Sequence, residues 1–91
     1  MNRAERTLTI TNKLGLHARA ATELVKLAAS FSATIMLHKD GKSASADSVL
    51  GLMMLEGSQN KQVKVICEGN DAEPALEAIS ALFSARFNEA E

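Results

Sequence analysis

Among 91 residues the chain has no tryptophan, no tyrosine, one cysteine, one proline and three phenylalanines. Each scarcity closes a class of function. So few aromatics leave no stacking platform of the kind that holds single-stranded nucleic acid. A formal net charge of −1, from 10 basic and 11 acidic residues, gives no electrostatic footprint for duplex nucleic acid or an anionic membrane. No run approaches the roughly 18 consecutive apolar residues of a membrane span, and Met1-Asn2-Arg3-Ala4-Glu5-Arg6 lacks the apolar stretch of a secretory signal. The lone Cys67 cannot close an intramolecular disulfide, and no clustered thiols suggest zinc, which fits a reducing compartment. The expectation is a cytoplasmic, soluble single domain over 1–91 with one main site, no metal and no cofactor, binding neither nucleic acid nor membrane.

What is present reads as alternating short elements. Arg6-Thr7-Leu8-Thr9-Ile10-Thr11 alternates polar and apolar, a strand with Leu8 and Ile10 facing the core. From Ala18 the apolar positions Ala21, Leu24, Val25 and Ala28 follow the spacing of an amphipathic helix ending near Ser30. Ala33–His38 is a second strand, and Asp40-Gly41 signals a two-residue hairpin into a short third strand from Lys42. Ser43–Ser48 lacks the bulk of a buried strand; its polar residues suit the N-cap of a short helix over Val49–Leu55 that stops near Gly57. Gln62–Glu68 is a fourth strand with Val63, Val65 and Cys67 inward, and a helix capped by Asn70 or Asp71 carries Ala72, Ala75, Leu76, Ile79, Leu82, Phe83 and Phe87 on one stripe. The tail Asn88-Glu89-Ala90-Glu91 is expected to fray. This order predicts an α+β open-faced sandwich: a four-stranded antiparallel sheet covered on one side by three helices.

His17 stands where strand periodicity gives way to helix periodicity, just after Gly15-Leu16. A neutral imidazole is a nucleophile near neutral pH, and the positive end of a helix both disfavours its protonation and favours an anion attached to it. Such a histidine is suited to carry phosphate. Arg19, two residues on, opposes the helix dipole unless an anion visits, and its guanidinium can meet phosphoryl oxygens in a bidentate fashion. The amides of Ala18 and Arg19 complete the phosphate shell. Val49, Leu50, Met53 and Met54 crowd more apolar surface onto a two-turn helix than one core stripe needs, so part of it is expected as an exposed patch beside His17. His38 reads as an exposed strand residue without a role, and Cys67 as core rather than a reactive thiol.

Gly15-Leu16-His17-Ala18-Arg19, Gly41-Lys42-Ser43-Ala44-Ser45-Ala46-Asp47-Ser48 and the element order over nearly the whole chain resemble the HPr family of histidine phosphocarriers of the bacterial phosphotransferase system. Asn12-Lys13-Leu14-Gly15, the Met-rich second helix and the ending from Ala81-Leu82-Phe83 to Phe87-Asn88-Glu89 look more like its nitrogen-related branch. The resemblance implies that His17 takes phosphate on Nδ1 from an enzyme I-type donor and passes it to an enzyme IIA-type acceptor, with Arg19 beside the phosphoryl group. It further implies a docking patch in which Thr22 and Lys26, with Ala18, border Val49, Leu50 and Met53. Ser48 falls on the family's regulatory serine, a target for a serine kinase in some lineages, while its local role is an N-cap. Many family members carry proline where this chain has Ala20, which leaves one more amide donor in the first turn.

Two functions follow: a stoichiometric phosphoryl relay working as a monomer, or a regulatory binding module whose docking is controlled by phosphorylation of His17. A turnover enzyme finds no support, since no Ser/His/Asp set, P-loop or placed carboxylate pair is present.

Overall fold

Pairing of alternating strands sets the architecture. The computed structural model describes residues 2–90, and runs β1 (Arg3–Thr9), α1 (Ala18–Ala28), β2 (Thr34–Lys39), β3 (Lys42–Ser45), α2 (Val49–Met53), β4 (Gln62–Glu68) and α3 (Ala72–Ser84), followed by a single 3₁₀ turn at Arg86–Asn88. The strands form one antiparallel sheet in the order β1-β4-β2-β3, so the last strand in sequence is inserted between the first and the second. Val63, Val65 and Cys67 of β4 and Ile35 and Leu37 of β2 alternate onto one face and are buried. Against them pack Ala20, Ala21 and Leu24 of α1, Leu52 of α2, and Leu76, Ile79 and Phe83 of α3. The expected open-faced sandwich is what forms.

Several boundaries differ from the sequence expectation, each for a tertiary reason. β1 begins at Arg3 and ends at Thr9, because β4 offers seven partners, from Glu68 opposite Arg3 to Gln62 opposite Thr9. Ile10 lies past the strand and is still fully buried. β3 extends to Ser45 because Ala44, paired with Leu37, is small enough for the buried face under α2. The hairpin is as expected: Asp40 and Gly41 both have left-handed backbone, φ 51° and 81°, the pair a type I′ turn requires. Cys67 is fully buried, as a core residue should be, and burial pushes its thiol pKa up.

Two corrections concern α3. Asp71 occupies the N-cap position, but its side chain makes no cap bond. It instead accepts the backbone N–H groups of Ser32 and Ala33, each at 2.8 Å, and so ties the end of α1's following loop to the start of α3. The helix stops at Ser84, and Arg86, Phe87 and Asn88 turn back with left-handed backbone, φ 56°, 54° and 65°. Phe87 thus leaves the helical stripe and still buries completely, its ring 4.9 Å from that of Phe83. The tail does not fray through Glu89, whose side chain is only 11% exposed; Glu91, expected to fray with it, lies outside the described residues.

The Ser32 N–H, aided by that of Ala33 and opposed by partial desolvation, holds the Asp71 carboxyl below its ordinary value. A depressed folded-state pKa contributes stability that is present above the unfolded value, about 3.9, and is lost as pH falls through the folded value. Asp71→Asn is therefore expected to lower the thermal midpoint at neutral pH and to shrink the further fall between about pH 4 and pH 2. Circular dichroism melts across that range measure it; a variant with the wild-type pH dependence would contradict the assignment.

Candidate functional site

The segment between β1 and α1 is held to the loop between α2 and β4 by backbone bonds. Ile10 N–H donates to Lys61 C=O at 2.9 Å, Asn60 N–H to Ile10 C=O at 2.7 Å, and Leu16 N–H to Gly57 C=O at 2.8 Å. Gly15 makes the last of these possible. Its φ is 67°, and a Cβ there would lie 2.2 Å from the Gly57 carbonyl oxygen. Leu16 then plugs into the core, leaving the next residue at the helix threshold.

That residue is His17, the N-cap of α1, with extended backbone at φ −76° and ψ 178°. The helical ladder begins with Ala21 N–H donating to His17 C=O at 2.9 Å, so the N–H groups of Ala18, Arg19 and Ala20 precede it at the positive end of the helix. The imidazole is 28% exposed, enough for a reagent to reach it. Arg19 is exposed in the first turn, which contains no acidic residue. Ala20, at the common proline position, is fully buried, so the small side chain serves packing and the helix starts without proline.

Sequence reasoning missed two members of the site. His17 Nε2 is hydrogen-bonded to Glu89 Oε2, brought back by the turn after α3. Asn12, fully buried, donates from Nδ2 to Gly15 C=O at 2.8 Å and to Glu89 Oε1 at 3.1 Å. Both of those partners are acceptors, which fixes the orientation of the amide. Burial pushes the Glu89 carboxyl up, but bonds from His17 and Asn12 and the charges of His17 and Arg19 pull it below its ordinary value. No local pattern marks Glu89; Asn12 was visible only as a polar residue next to a turn.

The apolar patch forms. Leu50 is 69%, Met54 66% and Met53 38% exposed, while Leu52 is fully buried and Val49 half-buried. Leu14, 67% exposed, belongs with them and was missed, because a lone leucine in a loop carries no periodicity. Met53, Leu14, Leu16, Glu56 and His17 border one shallow depression, so the patch and the imidazole share a face. Thr22 bonds back to Ala18 C=O at 2.7 Å, and Lys26 is exposed one turn further along the same side of α1. Ser48 caps α2, its Oγ accepting Gly51 N–H at 3.0 Å. His38 is half-buried on β2. No group of three or more metal-binding side chains occurs among the described residues.

Residues 4–85 match the family model described as the PTS HPr component phosphorylation site. The chain belongs to the HPr family. It is 53% identical over 90 residues to the phosphocarrier protein NPr of Shewanella violacea, covering 99% of each chain. To the phosphocarrier protein HPr of Xylella fastidiosa it is 44% identical over 85 residues, 93% of this chain and 96% of that one. The crystal structure of HPr from Thermoanaerobacter tengcongensis superposes with a TM-score of 0.92 at 42% identity, over 97% of this chain and 99% of that one. Some solved relatives are dimers. Membership establishes a phosphocarrier of the phosphotransferase system, and with it the existence of phosphotransfer partners. No helix among the described residues is long and apolar enough to cross a membrane.

Gly15→Ala tests the junction. It is expected to cost about 1–3 kcal/mol through left-handed strain and the clash at Gly57, read by urea unfolding. Amide shifts of Leu16, His17 and Ala18 should move with it; a variant of wild-type stability and unchanged shifts would refute the close approach.

Proposed function

We propose that His17 is the phosphoryl-bearing residue of this phosphocarrier, taking phosphate from an enzyme I-type donor and passing it to an enzyme IIA-type acceptor. The observation that carries this reading is the seat of a partly exposed imidazole at the N-cap of α1, where three N–H groups precede the first ladder bond. Arg19 supplies the cation next to the phosphoryl group, and the Ala18 and Arg19 amides bind its oxygens. Leu50, Met53 and Val49, with Thr22 and Lys26 from α1, form the docking surface; apolar, methionine-rich contact suits a protein that must fit a donor and an acceptor in turn. The protein acts as a monomer in the cytoplasm, where its single thiol stays reduced, and spends itself stoichiometrically rather than turning over a substrate. The 53% identity to an NPr supports the nitrogen-related branch.

The patch also favours a second reading, a regulatory module whose docking partners change when His17 is phosphorylated. A serine kinase acting at Ser48 would add charge to that same patch, while the hydroxyl in its present role caps α2.

Incubation with an enzyme I-type donor and phosphoenolpyruvate is expected to place one acid-labile, base-stable phosphate on the chain, and none on His17→Ala; incorporation that persists in His17→Ala refutes the assignment. Arg19→Ala should slow the transfer by about a hundredfold to a thousandfold with the fold intact, whereas regulatory binding retained in His17→Ala would favour the docking module.

A further inference from the structure

We infer that Glu89 is a positioning residue that keeps a proton on His17 Nε2 through the whole phosphoryl cycle, leaving Nδ1 as the atom that takes and gives the phosphoryl group. The inference rests on the proposed role of His17. A carboxylate only accepts hydrogen bonds, so the bond between Glu89 Oε2 and Nε2 requires a hydrogen on Nε2. In the neutral ring the lone pair then lies on Nδ1. Glu89 is not a chance contact of a loose tail. Its other oxygen is held by the buried Asn12, and Phe87, two residues before it, is fully buried against Phe83. The left-handed backbone at Arg86, Phe87 and Asn88 turns the chain back so that the carboxylate reaches the ring.

The chemistry balances without moving that proton. On acceptance, the Nδ1 lone pair attacks phosphorus, the Nδ1–P bond forms, and the bond from phosphorus to the phosphorylated donor breaks with its electron pair leaving on the donor. The ring is then a phosphoimidazolium, carrying the same Nε2–H beside Glu89. On release, the acceptor's nucleophile attacks phosphorus, the Nδ1–P pair returns to Nδ1, and the ring is neutral with Nε2–H still in place. The positive end of α1 opposes the intermediate cation, and the Glu89 carboxylate offsets that opposition. Among the described residues, other charged groups near the ring include Arg19 on α1, within the field of Glu89, and Glu56 after α2, which is engaged by Lys42.

Phosphoramidate, which phosphorylates histidine with loss of ammonia and needs no donor protein, tests the placement directly. Nitrogen-15 and phosphorus-31 spectra should show the wild type modified at Nδ1, and Glu89→Ala carrying an Nε2 isomer as well. Glu89→Gln keeps the shape without the charge, so the phosphorylated ring sheds its Nε2 proton more readily and becomes the poorer leaving group; it is expected to pass phosphate to the acceptor about tenfold more slowly with KM unchanged, and Glu89→Asp to recover part of the loss. All three variants retain Phe87, and thermal unfolding checks that they fold. Wild type modified at Nε2, Glu89→Ala modified at Nδ1 alone, or Glu89→Gln donating within about twofold of wild type would each overturn the inference. Wild type that reacts at Nδ1 with phosphoramidate but accepts nothing from a donor protein would instead overturn the relay role of His17 and leave the placement by Glu89 standing.

Discussion

The bond from Leu16 N–H to Gly57 C=O is the closure on which the site depends. A single backbone hydrogen bond contributes only about 1 kcal/mol net, yet this one decides where the β1–α1 junction lies. It forms because Gly15 brings no side chain to the approach and can adopt left-handed backbone. Its neighbours Ile10 and Asn60 continue the β1–β4 pairing past the end of the sheet, so the strand register is carried into the loop. His17 is placed by sheet geometry as much as by its own helix, and the apolar face of α2 is placed beside it by the same closure.

The site balances charges that taken singly would be awkward. An arginine in the first turn of a helix opposes the dipole, and a carboxylate near a site for phosphate opposes the incoming anion. Together they resolve: Arg19 and the free N–H groups lie on the helix side, while Glu89 meets the imidazole at Nε2.

Periodicity made most of the fold legible. Alternation over Gln62–Glu68, the helical spacing from Ala21 to Ala28 and the Asp40-Gly41 turn each report a local rule that the tertiary structure obeys. The placement of His17 at a helix start was legible for the same reason, as was the capping role of Ser48. What was not legible depends on partners distant in sequence. Asp71 abandons its own helix for amides some forty residues earlier. Phe87 satisfies a helical stripe by spacing but reaches the core through a left-handed turn, because packing on Phe83 outweighs the local backbone cost. Glu89 and Asn12 meet across 77 positions, a separation no pattern of neighbours reveals.

The order β1-β4-β2-β3 leaves β1 at an edge, bonded along one side only. The stretch that follows this edge strand is the one that delivers His17, with no helix or strand between them. Strand and imidazole are therefore coupled in series, as links of one chain under a common load. Any partner that peels the first strand from β4 therefore pulls on the junction at Leu16 and, through the bonds of Arg6 to Glu77 and Ser80, on α3 as well.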